Sequence, residues 1–210
     1  MSAHPAVTLV GEDRLCCQLG ARLLGNVLPD WRIAPSPIVS MGITKLTPEL
    51  PRYAQAARIG GPVLCVADTD GRCPVELLQQ WWPDSARHAR MLVRLAVTEA
   101  ESWVLADHAG MHAGFKVPLS RLPAAPEELD DPKAHLLHLV QRFAPASLRR
   151  EMVEVDRAGQ PRRSTGYATH LQQFVAQVWD PALAAQRAPS LNRAMRRLAA
   201  WPSLALPHET

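Results

Sequence analysis

The chain has 210 residues, 47% apolar and 20% charged, which suits one domain with a real core and argues against broad disorder. Its net charge of +3 hides an asymmetry: residues 1–140 carry 13 Lys and Arg against 15 Asp and Glu, whereas residues 141–210 carry 10 Arg against 5 acidic groups. No apolar run nears the roughly 18 residues of a membrane span, and no basic segment precedes the apolar stretch at 6–10 to make a secretory signal, so the expectation is a cytoplasmic protein without membrane contact.

Residues 6–10 are apolar and β-branched at Val7, Thr8 and Val10, and read as a strand. A helix follows, with Leu15, Leu19 and Leu23 recurring at i+4 and Cys16, Leu24 and Val27 widening the stripe, until Pro29-Asp30 ends it. Residues 31–39 read as a second extended segment, which Pro35 and Pro37 favour at a sheet edge. A helix over 48–58 stops at Gly60-Gly61. The runs PVLCVA (62–67) and MLVRLAV (91–97) are continuous enough for strands covered on both faces. Helices are expected at 75–82 and 101–107, and the alternation predicts a parallel sheet with right-handed crossovers.

Past Gly114 the pattern changes. Residues 116–132 contain four prolines and read as a connecting loop. Asp131-Pro132 is a helix-start signal, followed by Leu136, Leu139, Val140 and Phe143 at helical spacing. Residues 156–166 read as a polar loop, with helices at 167–179 and 190–201. The expected architecture is α/β: a mainly parallel sheet flanked by helices over 1–115, with 116–210 as a loop and helical C-terminal portion packed on it.

Cys16, Cys17, Cys65 and Cys73 form no CxxC pair and read as reduced core thiols. His108 with His112, and His135 with His138, share helical faces but lie in no zinc sequence, and read as packing or surface groups. Trp81-Trp82 reads as helix-end core. Serine-nucleophile, Walker A and GxGxxG signatures are absent, so any ATP-driven step needs another polypeptide.

The acidic residues are the informative ones. Glu12 and Asp13 follow the first strand, Asp68-Thr69-Asp70-Gly71 follows PVLCVA, and Glu99 and Glu101 follow MLVRLAV. In an open parallel sheet ligands bind beyond the carboxyl ends of the strands. Carboxylates delivered there from three strands repel one another unless cations neutralise them. Magnesium takes hard oxygen ligands, and a pair of such ions serves phosphodiester cleavage. Other readings stand beside this one. DxD also occurs in nucleotide-sugar transferases, in phosphohydrolases with an Asp nucleophile, and in plain turns. Glu12, Glu99 and Glu101 equally suit helix N-termini.

The order of a Glu after strand one and an apolar strand ending in DxD resembles the Toprim domain of topoisomerases, primases and overcoming-lysogenization-defect nucleases. VTEAESWVLAD (97–107), PEELDDPK (126–133), GYATHLQQFVAQV (166–178) and LNRAMRRLAAW (191–201) are similar to a bacterial Toprim-like family, often encoded beside AAA or ABC-type ATPases in anti-phage defence loci. The resemblance implies a nuclease dependent on Mg2+ or Mn2+, acting on DNA or RNA with an ATPase partner. It makes Glu12 a metal ligand or water-orienting base, places metal on Asp68, Asp70, Glu99 and Glu101, and sets Lys133 to stabilise phosphate charge. Toprim strands usually end in Glu-Gly, whereas this chain reads Gly11-Glu12. That displacement leaves open an inactive subunit that binds nucleic acid or the ATPase. Arg162, Arg163, Arg193, Arg196 and Arg197 are the candidates for tracking a nucleic-acid backbone, with a solvated face as the alternative.

Overall fold

Side chains alternate across a strand, and here the alternation divides the sheet between two cores. The computed structural model describes residues 6–83 and 87–202. All strands of the main sheet are parallel, with β1 (Ala6–Gly11) inside it. β2 (Arg32–Ile33) and β3 (Ile38–Val39) follow one another along one side of β1. β4 (Val63–Asp68) lies on the other side, and β5 (Met91–Ala96) pairs with β4. Pro35 and Pro37 fall between β2 and β3, so the expected edge segment becomes two short ladders where amide donors run out.

Val7, Leu9, Leu64, Val66, Leu92 and Ala96 face one core, under α1 (Arg14–Val27) and α4 (Ala100–Ala106). Val10, Val63, Cys65, Ala67, Val93 and Leu95 face the other, under α2 (Ile43–Ile59) and α3 (Pro74–Trp81). Cover on both faces is why these strands read as apolar runs, broken only by Arg94 in β5. Trp82 is buried in the second core and Trp81 packs against it, as helix-end core residues.

Among the other differences from the sequence reading are these three. α2 begins five residues early and carries Pro48 and Pro51 inside it. Its buried stripe of Leu46, Leu50, Ala54 and Ala57 starts ahead of Pro48, and burial of that stripe outweighs the missing amide bonds. A further helix, α5 (His108–Phe115), is started by the buried Asp107, which accepts the Gly110 amide at 2.9 Å; its two glycines masked it in the sequence. The polar stretch after α6 (Pro132–Phe143) and α7 (Ala146–Met152) is an antiparallel hairpin, β6 (Val153–Val155) with β7 (Pro161–Arg163). Arg162 and Arg163 therefore lie on a strand.

α8 (Tyr167–Gln177), α9 (Pro181–Ala184) and α10 (Pro189–Ala199) complete the chain order. Leu136, Val140, Leu171, Phe174, Leu191 and Leu198 join the β1 side chains in one continuous cluster, so the later helices share the first core. Cys16, Cys17 and Cys65 are buried, as expected; Cys73 is exposed ahead of α3 and is no core thiol. Among the described residues no helix is long and apolar enough to cross a membrane.

Gly11 closes β1 where the chain turns sharply into α1. A Cβ there would sit 2.6 Å from the Cys17 amide nitrogen and 2.7 Å from the Asp13 carbonyl oxygen. These are backbone atoms, which no rotamer change can move away. Gly11→Ala should lower stability by about 1–3 kcal/mol through overpacking. The midpoint of urea unfolding checks this, and an unchanged midpoint would contradict the close approach.

Candidate functional site

The chain passes from β1 outward to β2 and β3, then returns through α2 to β4 on the opposite side of β1. The strand order therefore reverses between β1 and β4, where open α/β sheets form a crevice at their carboxyl ends. Glu12 follows β1 and Asp68 ends β4, one on each side of that switch point. The Glu12 carboxylate accepts the Asp68 amide at 3.1 Å. The displacement of the Glu past Gly11 thus leaves its side chain directed at β4, and the packing around Gly11 explains why no larger residue stands there.

β5 delivers the second half of the cluster. Glu99 caps α4 in extended conformation, and Glu101 lies in the first helical turn. Although two residues apart at a helix start, both reach Lys133 at the beginning of α6. The Lys133 Nζ is 2.7 Å from Glu99 Oε1 and 3.8 Å from Glu101 Oε1, and the Lys133 amide donates to Glu99 at 2.9 Å. Glu101 is only 3% exposed, and it accepts a 3.0 Å hydrogen bond from the Tyr167 hydroxyl on α8. Tyr167 and Lys133 come from the C-terminal helices, so the sheet alone does not complete the site. Sequence reasoning missed Tyr167, whose one signal is its place directly after Gly166 at the start of an apolar stripe. It also missed Cys16, whose thiol lies 3.7 Å from Asp68 Oδ1.

The loops beneath this cluster are pinned to each other. Thr69 is buried, and its hydroxyl accepts the Thr98 amide at 2.8 Å. The Asp70 amide donates in return to the Thr98 carbonyl at 2.9 Å. Asp70 and Thr98 have φ of 48° and 62°, a left-handed conformation that is strained for a β-branched threonine. Such strain, of order 1–3 kcal/mol per residue, persists where surrounding bonds over-determine it.

The electrostatics follow from burial and repulsion. Burial pushes the Asp68 carboxyl well above its usual range, and Glu101, Glu12 and Asp13 push it further, with Lys133 opposing. Burial also raises Glu101, against the pull of Lys133. Glu12 rises for the same first reason, with the Asp68 amide opposing and Asp70 adding repulsion. Burial disfavours the Lys133 ammonium, but Glu101, Glu99 and Asp68 outweigh it and hold the lysine above its ordinary value.

Of the residues singled out from sequence, the fold brings Glu12, Asp68, Glu99, Glu101 and Lys133 into one electrostatic neighbourhood. Asp70 is exposed at its rim, in the turn conformation that its following glycine suggested. Lys133 is partly buried and ion-paired with Glu99. The donor set is chemically suited to a hard divalent cation, since it offers carboxylate oxygens whose charges a single lysine offsets. As they stand, however, no three His, Cys, Asp or Glu side chains among the described residues are grouped to hold a metal ion. The arginines are dispersed over β7 and α10. Arg162 pairs with Asp156 at 3.0 Å across its own hairpin, and Arg163, Arg193, Arg196 and Arg197 are exposed. His108 and His112 are engaged with the carbonyls of Pro123 and Val117, in keeping with packing roles.

No protein family, curated protein or solved structure matches the chain. The class that stands is the architectural one: an α/β protein with a mainly parallel sheet flanked by helices.

The raised carboxyls fix the sign of a pH effect. The folded state holds protons on Asp68 and Glu101 more tightly than the unfolded chain does. Their contribution to stability is therefore greatest at acidic pH and is lost as pH rises from about 4, the ordinary carboxyl value, through the raised folded values. Without divalent ions, Asp68→Asn should raise the melting temperature at pH 7.5, by roughly 2–4 °C per kcal/mol of relieved burial cost and repulsion. The gain should shrink at pH 5, where the wild-type carboxyl is closer to neutral. Thermal melts at both pH values decide it, and a lower melting temperature for the variant at pH 7.5 would refute uncompensated repulsion.

Proposed function

We propose that this chain is a divalent-metal-dependent phosphodiesterase of Toprim-like type that cleaves DNA or RNA. The observation that carries the reading is the placement of Glu12, Asp68 and Glu101 at the carboxyl ends of three parallel strands, where burial raises each carboxyl. Asp68, Glu12 and Glu101 would hold the metal, with Asp70 and Glu99 at its margins. When bound, a pair of Mg2+ or Mn2+ ions supplies an activated water and stabilises the leaving oxygen. Lys133 keeps its proton in this setting and would supply the positive charge that offsets the phosphate in the transition state. Tyr167 orients Glu101 through its 3.0 Å hydrogen bond. Work on a genome-defence substrate with an AAA or ABC-type ATPase encoded nearby is the corresponding partner proposal. It rests on the sequence resemblance and on the lack of a Walker A loop in this chain.

One observation favours a second reading. Lys133 already lies between Glu99 and Glu101, where its ammonium takes the place of a cation. A subunit so neutralised binds nucleic acid or the ATPase without cutting.

The experiment is cleavage of supercoiled plasmid and of single-stranded RNA with millimolar Mg2+ or Mn2+. The wild type should cut in the presence of metal and not in EDTA. Asp68→Asn should lose at least about 100-fold, the scale expected when a metal-holding group is removed. Undiminished cleavage by Asp68→Asn would reject the site. A wild type that neither cuts, with or without the ATPase, nor melts higher in metal would establish the non-catalytic reading.

A further inference from the structure

We infer that Arg163, at the end of β7, holds a backbone phosphate of a nucleic-acid strand where that strand crosses the carboxylate site. The inference deepens the proposed function and rests on its reading of that site as one for a phosphodiester strand. The β6–β7 hairpin is then one wall of the substrate groove, and its two arginines have different parts.

The register of the hairpin separates them. Directly opposed residues of an antiparallel pair share a face, and neighbours along a strand alternate. Arg163 stands opposite Val153 and Arg162 opposite Glu154, so the two side chains leave the hairpin on opposite faces. Val153 and Pro161 are buried, which turns the Arg163 face toward the protein. Glu154 and Arg162 are exposed on the outer face, and Arg162 is engaged with Asp156 at 3.0 Å.

The chain beyond β7 brings the inner face to the site. The Ser164 amide continues the ladder to the Met152 carbonyl at 3.1 Å, and three residues later α8 opens with Tyr167. Gly166 lets this turn press on α7, since a Cβ there would lie 2.5 Å from the Glu151 carbonyl oxygen. Tyr167 is buried, and its hydroxyl donates to Glu101, the acid that Lys133 also faces. β7 also packs against α6, whose second residue is Lys133. Arg163 is near enough for its charge to act on the Tyr167 hydroxyl. Burial raises that hydroxyl, Glu101 and Glu99 raise it further, and Arg163 opposes them.

Arg163 itself is exposed, and its guanidinium makes no hydrogen bond or ion pair among the described residues. It is a free cation beside a nest of carboxylates. Those carboxylates repel the phosphates that flank the one met by metal, so a strand laid across them needs a fixed positive charge at the rim. A guanidinium gives two parallel donors to one phosphate and stays charged at any working pH. The α10 arginines belong to other surfaces. Arg193 lines a cleft with Arg187 and Asn192, and Arg197 lines one with Arg94; neither includes a residue of the carboxylate cluster in its described lining.

The test is fluorescence anisotropy of a labelled single-stranded DNA, and of an RNA of the same sequence, across a salt series in Ca2+ and again in EDTA, beside cleavage kinetics in Mg2+. Calcium takes oxygen ligands as magnesium does and serves in its place for binding. In Ca2+, Arg163→Gln should weaken binding at least about tenfold, the equivalent of one charge-assisted hydrogen bond. It should also flatten the slope of log affinity against log salt by about 0.7, one phosphate contact on a single strand. Arg163→Lys should restore the slope but only part of the affinity, because it keeps the charge and loses the fork. Arg162→Gln should change neither. In EDTA the gap between wild type and Arg163→Gln should close, since bare carboxylates then hold the strand away. In Mg2+, Arg163→Gln should raise KM about tenfold and leave kcat little changed. The inference is overturned if wild type binds neither strand in Ca2+, if Arg163→Gln binds there as tightly as wild type, or if Arg162→Gln loses as much. It is equally overturned if the gap is as wide in EDTA, which would make Arg163 an ordinary surface cation. A wild type that shows the Ca2+-dependent gap yet never cuts in Mg2+, alone or with the ATPase, fails the phosphodiesterase reading and leaves this inference standing.

Discussion

Carboxylates at the ends of three neighbouring strands repel one another, and the architecture around them answers that repulsion. Asp68 and Glu101 are largely withdrawn from water, where like charges interact several-fold more strongly than at the surface. The positive charge that the structure sets against them is Lys133, carried on α6, and the hydrogen bond that steadies Glu101 comes from Tyr167 on α8. The sheet thus supplies the negative charge and the C-terminal helices supply its partial compensation. This makes the helical portion part of the site as well as part of the first core.

The same constraint orders the local backbone. Glu12 is tied to the Asp68 amide, the Thr69 hydroxyl holds the β5–α4 turn, and Asp70 and Thr98 accept left-handed conformations to make those bonds. Gly11 allows β1 to turn into α1 without a side chain between Cys17 and Asp13. These bonds tie the loops after β1, β4 and β5 to one another.

Much of the sheet could be read directly from the residues. PVLCVA is apolar at every position, and MLVRLAV at every position but Arg94, because helices cover both faces, and acidic residues at their ends stand out against that background. Placement of the acids at the carboxyl ends of parallel strands followed from the alternation of strands and helices, whereas the switch point between β1 and β4 needed the strand order of the structure. What could not be read depended on contacts distant in sequence. Nothing local to Tyr167 says that its hydroxyl meets Glu101, 66 residues earlier. The hairpin containing Arg162 and Arg163 looked like a loop because its strands are three residues each and mostly polar, with only Val153 and Pro161 buried. The start of α2 was obscured by Pro48, which ordinarily marks a first turn and here lies inside the helix.

The most direct measurement is anomalous scattering from a crystal of the protein soaked in manganese. A peak bridging Glu12 and Asp68 at about 2.0–2.4 Å from their oxygens, the span of hard-cation bonds, with Lys133 drawn away from Glu101, is the outcome required by a cluster built to be neutralised by metal. A map without any peak at the ends of β1, β4 and β5, and Lys133 still seated between Glu99 and Glu101, would show that the lysine alone balances the charge.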